Sequence, residues 1–185
     1  HRRSTLPALG RFGQNGSAMR TATFFLFVPF VAAALIVPAS AQPTSAVTGR
    51  PHHLMPVPSS VQRAEGRLAI VREGTVAVTG SAAADRRLRA AVERAIVRLE
   101  RRTGIEFASR GPVAEPAGAW LVVDVAAPGG AVPALGDDES YTLVVTPQQA
   151  RLSAPLVVGA LRGLETLLQW LDGAGGTWGL DAVRI

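Results

Sequence analysis

A helical pattern of hydrophobic positions runs from Asp85 to Arg102 and predicts the first long helix of the chain. Apolar residues recur there every three or four positions, which places them along one face of a helix. Thr103 and Gly104 follow the last apolar position, and a glycine just past the last turn is a common helix end. The opposite face is rich in arginine but carries no aromatic residue, so we interpret it as a solvated surface.

A second helical pattern lies between Ser153 and Leu171, where leucines recur at the same spacing. The hydroxyl group of Ser153 is predicted to cap the first turn, with Pro155 tolerated inside that turn. Gly173 follows the last leucine and is predicted to stop the helix. The pattern therefore predicts a second long helix that ends at the start of a glycine-rich segment.

Two glycines interrupt this second pattern. Gly159 and Gly163 are four positions apart, so they share one face of the helix and leave it smooth. Each glycine lowers helix stability by about 1 kcal/mol relative to alanine. Close approach of another backbone is the expected compensation, and the alternative is that neighbouring contacts hold the helix in spite of the glycines.

Alternating and continuous apolar runs predict strands on both sides of the first helix. The clearest alternation places Tyr141, Leu143 and Val145 on one side of a strand, and a short connection then leads into an antiparallel partner. The predicted strands cover residues 67–71, 75–78, 105–107, 120–125, 141–146 and 150–154. We therefore predict an α+β domain: an antiparallel or mixed β-sheet with two long helices packed on one face.

Ordered strings of residues surround and fill the second predicted helix. They read SYTL over 140–143, LSA over 152–154 and GALRGLETLLQ over 159–169. A further string, LMPVP, covers 54–58. In this order the strings resemble the N-terminal domain of glycoside hydrolase family 20, the β-N-acetylhexosaminidases, and the resemblance extends from about Leu54 to Ile185.

The resemblance implies a glycosidase, a β-N-acetylhexosaminidase, of which this chain is a non-catalytic domain. Family members hydrolyse terminal β-linked N-acetylglucosamine or N-acetylgalactosamine, with the substrate's acetamido oxygen as nucleophile and an Asp-Glu pair assisting. Those residues belong to a (β/α)₈ barrel of roughly 250 residues. Only 14 residues follow Leu171, so we expect this chain to lack the barrel and to be inactive alone. No catalytic, metal or cofactor-binding residue is therefore assigned, and no cofactor is predicted.

The implied partner is the catalytic barrel of the same full-length protein, which this domain would brace. Glycan substrate would be met only through that barrel. The predicted barrel-contact residues are Gly159, Gly163, Trp170 and Trp178. Two alternatives stay open: the equivalent domain of an α-N-acetylglucosaminidase or α-glucuronidase, and a stand-alone glycan-binding module, which would expose aromatic side chains.

The N-terminal part of the chain has the three regions of an export signal. Arg20 supplies the positive region, residues 24–37 the apolar region, and Ala39, Ser40 and Ala41 the small-residue cleavage site. The apolar region is shorter than the roughly 20 residues of a membrane span, so no stable span is expected after cleavage. An uncleaved membrane anchor is the alternative. We predict a bacterial protein exported to the periplasm or secreted.

These observations divide the chain into five parts. Residues 1–18 are an upstream, unstructured segment and 19–41 the signal peptide. Residues 42–53 are a flexible linker rich in proline, threonine, serine and glycine. The α+β domain covers 54–175, and 176–185 begin a linker to the absent barrel.

Charge and potential metal ligands add little to this interpretation. The net charge is +5, but after the predicted signal peptide 15 arginines face 14 acidic residues, so nothing favours nucleic acid as a partner. His52 and His53 are adjacent and diverge, with no third ligand nearby. Asp137, Asp138 and Glu139 are consecutive and are interpreted as a turn at a strand entrance rather than as a metal site.

We expect export to remove everything through Ala41, because the small-residue site ends there. Edman sequencing or N-terminal mass spectrometry of exported material should give a mature chain that starts at Gln42. A start upstream of Gln42 would contradict the predicted cleavage.

Overall fold

The computed structural model describes residues 53–185, which form seven strands and two helices. Residues 1–52 lie outside the described residues, and with them the predicted upstream segment, the signal peptide and most of the first linker. The described residues fall within one unit, Thr44–Ile185. In chain order the elements are β1 (Gln62–Ala69), β2 (Val76–Thr79), α1 (Arg86–Thr103), β3 (Leu121–Ala127), β4 (Thr142–Val145), β5 (Ala150–Leu156), α2 (Val157–Trp170), β6 (Leu171–Ala174) and β7 (Thr177–Arg184).

The strands form one mixed sheet in the order β1-β7-β4-β5-β3-β2, with β6 also paired to β7. β3 runs parallel to both β2 and β5, and the other pairs are antiparallel. The predicted α+β class is therefore confirmed. The predicted strand at 105–107 is wrong, because the backbone N–H of Phe107 donates to the Glu100 carboxylate (3.0 Å) instead of to a neighbouring strand.

The main core lies between the sheet and the two helices. Leu121, Val123 and Val125 of β3 share one cluster with the apolar faces of α1 and α2. Val122 points to the other side of the sheet and belongs to a small second cluster with Ala77. Because successive side chains of a strand alternate between faces, both helices cover the same face, as predicted.

Helix α1 has conventional caps at both ends. The Asp85 carboxylate accepts hydrogen bonds from the backbone N–H groups of Arg87 (2.8 Å) and Leu88 (3.2 Å). Hydrogen bonds from Arg87 and these N–H groups, with the Arg87 charge, together hold the pKa of Asp85 below its usual range, although burial opposes the shift. At the other end Gly104 adopts the left-handed conformation, with φ 72°.

Helix α2 starts later than the sequence pattern suggested. Ser153 and Pro155 lie in strand β5, and the helix begins after Leu156 without any side-chain cap, so the predicted Ser153 cap is wrong. The reason is that β5 stays paired with the parallel strand β3 as far as Leu156, opposite Ala127. A side-chain cap contributes only about 1 kcal/mol, which continued ladder pairing on a central strand exceeds.

The segment after α2 is part of the sheet. The helix ends at Trp170, and β6 and β7 form a hairpin around Gly175 and Gly176, both with positive φ. Strand β7 pairs with β1 along one edge and with β6 and β4 along the other. The predicted stop at Gly173 and the predicted linker over 176–185 are therefore corrected: these residues belong to the domain.

The two helical glycines allow α2 to lie directly on the sheet. A Cβ atom at Gly159 would overlap the backbone carbonyl oxygen of Ser140, and one at Gly163 would overlap the Leu152 side chain. The expected close backbone approach is thus present, and its partner is the segment leading into β4 within this domain. Both glycines are buried, so the prediction that they contact a barrel is wrong.

We expect Gly159→Ala to destabilise the domain by about 1–3 kcal/mol, because the added methyl group forces the helix away from Ser140. Helix propensity alone predicts the opposite effect, an increase of about 1 kcal/mol in the free energy of unfolding. Urea denaturation of the full chain measures the difference. Gly111→Ala is the matched control, since no heavy atom lies within 4 Å of a Cβ atom there. A higher midpoint for Gly159→Ala would contradict the packing argument.

Candidate functional site

The two tryptophans predicted to meet a barrel have different environments. Trp170 is only 1% exposed and its indole N–H donates to the Asp181 carbonyl oxygen (2.8 Å), so the contact prediction is wrong for it. Trp178 is half-buried, and the Arg102 guanidinium lies 5.9 Å from its ring centroid. A barrel contact by Trp178 remains a prediction.

Arg102 also connects the two helices. Its guanidinium donates to the carbonyl oxygens of Leu168 (2.7 Å) and Leu171 (2.9 Å), at the end of α2. Leu168 lies in the last turn of α2, where carbonyl groups lack partners within the helix, and Leu171 is the first residue of β6. A positive charge at this end also complements the helix dipole. The C-terminal end of α2 is therefore capped by α1.

The consecutive acidic residues form turns and ion pairs. The Asp137 carboxylate accepts from the backbone N–H of Ala134 (2.9 Å), and that of Asp138 from the backbone N–H of Ser140 (2.9 Å). Glu139 points elsewhere and pairs with Arg162. The turn interpretation is thus confirmed, and residues 53–185 contain no group of three or more His, Cys, Asp or Glu side chains placed to hold a metal ion.

A recess of about 430 Å³ lies on the outer side of the helix layer. Its floor is apolar, its edges are charged, and it lies between α1 and α2 where the β3–β4 loop reaches them. We call it the helix cleft. Its lining residues are Ala91, Arg94, Ala95, Arg98, Pro133, Glu139, Val158, Leu161, Arg162, Leu164 and Glu165.

Two ion pairs form the edges of the helix cleft. Arg98 of α1 contacts Glu165 of α2 (2.5 Å), and Arg162 of α2 makes two hydrogen bonds to Glu139 (3.0 and 3.1 Å). All four side chains are about half exposed, so water screens each pair and its contribution to stability is small. Their main effect is to hold two helices and a loop in a fixed arrangement around the apolar floor.

The two glutamates of the helix cleft do not form a glycosidase pair. A general acid of that chemistry requires a raised pKa and an apolar surrounding. The hydrogen bonds from Arg162 instead lower the pKa of Glu139, and Glu165 is occupied by Arg98. Both glutamates of the helix cleft are therefore engaged in ion pairs with arginine.

The outward side of α1 carries more positive than negative charge. Four exposed arginines make no ion pair within residues 53–185. Glu93 is the one exposed acidic residue of α1, and it also makes no ion pair within those residues. The four are Arg86, Arg89, Arg94 and Arg101. This surface matches the predicted solvated face, but its charge is unbalanced.

The sheet face that neither helix covers, which we call the uncovered face, is polar outside the small second cluster. Thr79 donates its hydroxyl hydrogen to the Asp124 carboxylate (2.8 Å), and Thr142, Arg151 and Arg184 also point outward. Because these groups are polar and reach water, this face needs no further covering.

Comparison with known proteins places the fold in a family. Residues 54–170 match the family model described as "beta-acetyl hexosaminidase like". Among solved structures, the Flavobacterium johnsoniae chitobiase is 31% identical with a TM-score of 0.65, over 71% of this chain and 20% of that one. A Streptomyces plicatus N-acetyl-β-hexosaminidase shares the fold at 20% identity and a TM-score of 0.51, over 71% of this chain and 25% of that one. No curated protein matches.

The chain therefore belongs to the β-acetylhexosaminidase-like domain family, which confirms the resemblance to the N-terminal domain of family 20. It spans only about a fifth to a quarter of the solved structures that it matches.

The helix cleft was not predicted from the sequence. The string over 159–169 does contain Arg162 and Glu165, spaced three residues apart and so on one side of the helix. Their partners lie 23 and 67 residues away along the chain, and no local pattern indicates such pairs.

We expect the pKa of Glu139 to lie below that of an ordinary glutamate and to rise toward it in Arg162→Gln. A lowered pKa means that the pair stabilises the fold at neutral pH and that its contribution disappears as the pH falls through that pKa. Carbon-13 NMR titration of the side-chain carboxyl group measures the value. Arg151→Gln, on the uncovered sheet face, should leave it unchanged; equal values in all three proteins would refute the pairing.

Proposed function

We propose that this chain is the non-catalytic domain of an exported β-N-acetylhexosaminidase of glycoside hydrolase family 20. The observation that carries the proposal is the family match over 54–170, together with a fold that aligns with only a fifth of the chitobiase. The remainder of such a protein would hold the catalytic (β/α)₈ barrel. That barrel would release terminal β-linked N-acetylglucosamine or N-acetylgalactosamine, and this domain would brace it.

The rigidity of the domain supports a bracing role. Helix α2 is fixed to the sheet by the two buried glycines and to α1 by Arg102. The Gln169 side chain accepts from the backbone N–H of Met55 (2.8 Å) and donates to its carbonyl oxygen (2.9 Å), which attaches the N-terminal segment to the same helix. A surface held at this many points can position a neighbouring domain.

The distribution of aromatic side chains argues against a stand-alone glycan-binding module. Phe107, Trp120 and Trp170 are buried, and Tyr141 and Trp178 are half-buried, so the described residues offer no exposed aromatic platform for a sugar ring. The equivalent domain of an α-N-acetylglucosaminidase or α-glucuronidase receives no support, since the relatives above are named as a chitobiase and a β-hexosaminidase.

Export is proposed from the sequence of residues 19–41 alone. In the part of the chain that the structure describes, no helix is long and apolar enough to cross a membrane. We propose the periplasm or the cell exterior as the location of the mature protein.

We expect the full chain to leave a chromogenic β-N-acetylglucosaminide uncleaved, because the carboxylates of Asp85, Asp137 and Glu139 are engaged in a cap, a turn and an ion pair. The measurement is release of nitrophenol against a buffer blank. The chitobiase of Flavobacterium johnsoniae serves as the positive control. Any turnover by the purified chain would contradict the non-catalytic assignment. This holds whether the activity is lost in Glu139→Gln and Glu165→Gln or persists in them.

A further inference from the structure

We propose that the uncovered face binds an extended acidic polysaccharide through Arg151 and Arg184. This face lies on the side of the sheet that neither helix covers, so binding there involves neither the helix cleft nor a catalytic domain. The site is additional to the proposed function, because the polymer is bound and not cleaved. Three features of the described residues support it: two arginines without an ion-pair partner, hydroxyl groups beside them, and no aromatic side chain on that face.

The two arginines flank one residue of β4. Val144 pairs with Arg151 of β5 on one side and with Arg184 of β7 on the other. Directly opposite residues of neighbouring strands place their side chains on the same face, so both guanidinium groups project from the uncovered face. Since neighbouring strands lie about 4.8 Å apart, the two Cα atoms are roughly 10 Å apart. All three strands are internal to the sheet, so this spacing is fixed before a ligand arrives.

Neither arginine is engaged by another residue in the part of the chain that the structure describes. Both side chains are exposed, and no ion pair or side-chain hydrogen bond joins Arg151 or Arg184 to residues 53–185. Opposite charges on paired residues stabilise a sheet, but here both arginines face the uncharged Val144. Asp124, which β3 presents on the same face, accepts the hydroxyl hydrogen of Thr79 instead. The two positive charges are therefore available to an external anion.

Two hydroxyl groups lie beside the arginines, two residues further along the strands. Thr142 of β4 pairs with Ser153 of β5, just as Val144 pairs with Arg151. Both residues are half-buried, and within residues 53–185 neither hydroxyl group makes a hydrogen bond to another residue. A hydroxyl group can donate and accept, which matches the hydroxyl groups of a sugar ring. The arginines and hydroxyl groups together form one patch of unengaged polar groups.

The chemistry of this patch selects an acidic polysaccharide among polymers. A guanidinium group presents a fork of N–H donors that matches the paired oxygens of an anionic group such as a carboxylate. The five Phe, Trp and Tyr side chains of residues 53–185 all pack in or against the main core, on the other side of the sheet. The uncovered face therefore offers no ring on which a nucleic-acid base or a neutral sugar can stack. An acidic sugar is held by its charge and needs no such ring.

The first test measures binding of the full chain to polygalacturonate, whose sugars carry carboxylate groups, by affinity electrophoresis at low salt. We expect retardation that decreases as salt is added, and several-fold weaker binding by Arg151→Gln/Arg184→Gln. Arg94→Gln/Arg101→Gln removes the same charge from the outward side of α1 and should bind as the unsubstituted chain does. Equal weakening by both pairs would show attraction by net charge alone. That result, unchanged binding by the first pair, or no retardation of the unsubstituted chain would each overturn the proposal.

The second test locates the site by NMR and requires no substitution. Oligomers of galacturonate should shift the side-chain N–H signals of Arg151 and Arg184 and the methyl signals of Val144, and leave the methyl signals of Val158 in the helix cleft unchanged. Shifts confined to the arginines of α1 would overturn the proposal.

Two further polymers test the choice of ligand. Dextran, a neutral polysaccharide, should cause no shift, and single-stranded DNA should displace polygalacturonate poorly. Equal shifts with dextran would contradict the role of charge, and displacement by DNA as effective as by polygalacturonate itself would make the ligand any polyanion and overturn the assignment to a polysaccharide. The proposed function is tested separately by the chromogenic assay, so either can fail without the other.

Discussion

The close contact between α2 and the sheet is the constraint on which the rest of the structure depends. At Gly159 the helix lies so near the backbone of Ser140 that no side chain fits between them. This distance brings the apolar face of α2 into the main core, where Leu164 and Leu167 are almost fully buried. The position of α2 in turn determines that of α1, because Arg102 of α1 binds the end of α2. The helix cleft then lies between the two helices.

The same contact explains why one string of sequence carries so much information. Residues 159–169 supply the two glycines, the buried leucines and, on the outward side, Arg162 and Glu165. One helix thus meets the sheet with one side and forms part of the helix cleft with the other. A substitution that shifts α2 against β4 would therefore also disturb the helix cleft, although no residue of the cleft is changed.

The sequence was sufficient for the features that arise from local periodicity. Both helices, the α+β class and strands β3, β4 and β5 follow from repeating apolar positions. It was insufficient where a distant partner decides the structure. Ser153 lies in a strand because β3 pairs with it, and residues 177–184 form β7 because β1 and β4 flank them. The helix cleft was missed for the same reason, since its ion pairs join three separate elements, and Trp170 gave no sign of its buried bond to Asp181.

The position of β7 sets the order in which the domain is completed during synthesis. Gln62 at the start of β1 pairs with Arg184 at the end of β7, so the first strand must wait for almost the last residues of the chain before it finds its neighbour. Within residues 53–185, β1 has no other partner in the sheet. Pairing over such a sequence separation is slow and leaves an open strand edge in the growing chain. The N-terminal strand therefore stays unpaired while the ribosome completes the domain. Nascent chains that end before Arg184 are the form most exposed to proteases and to aggregation.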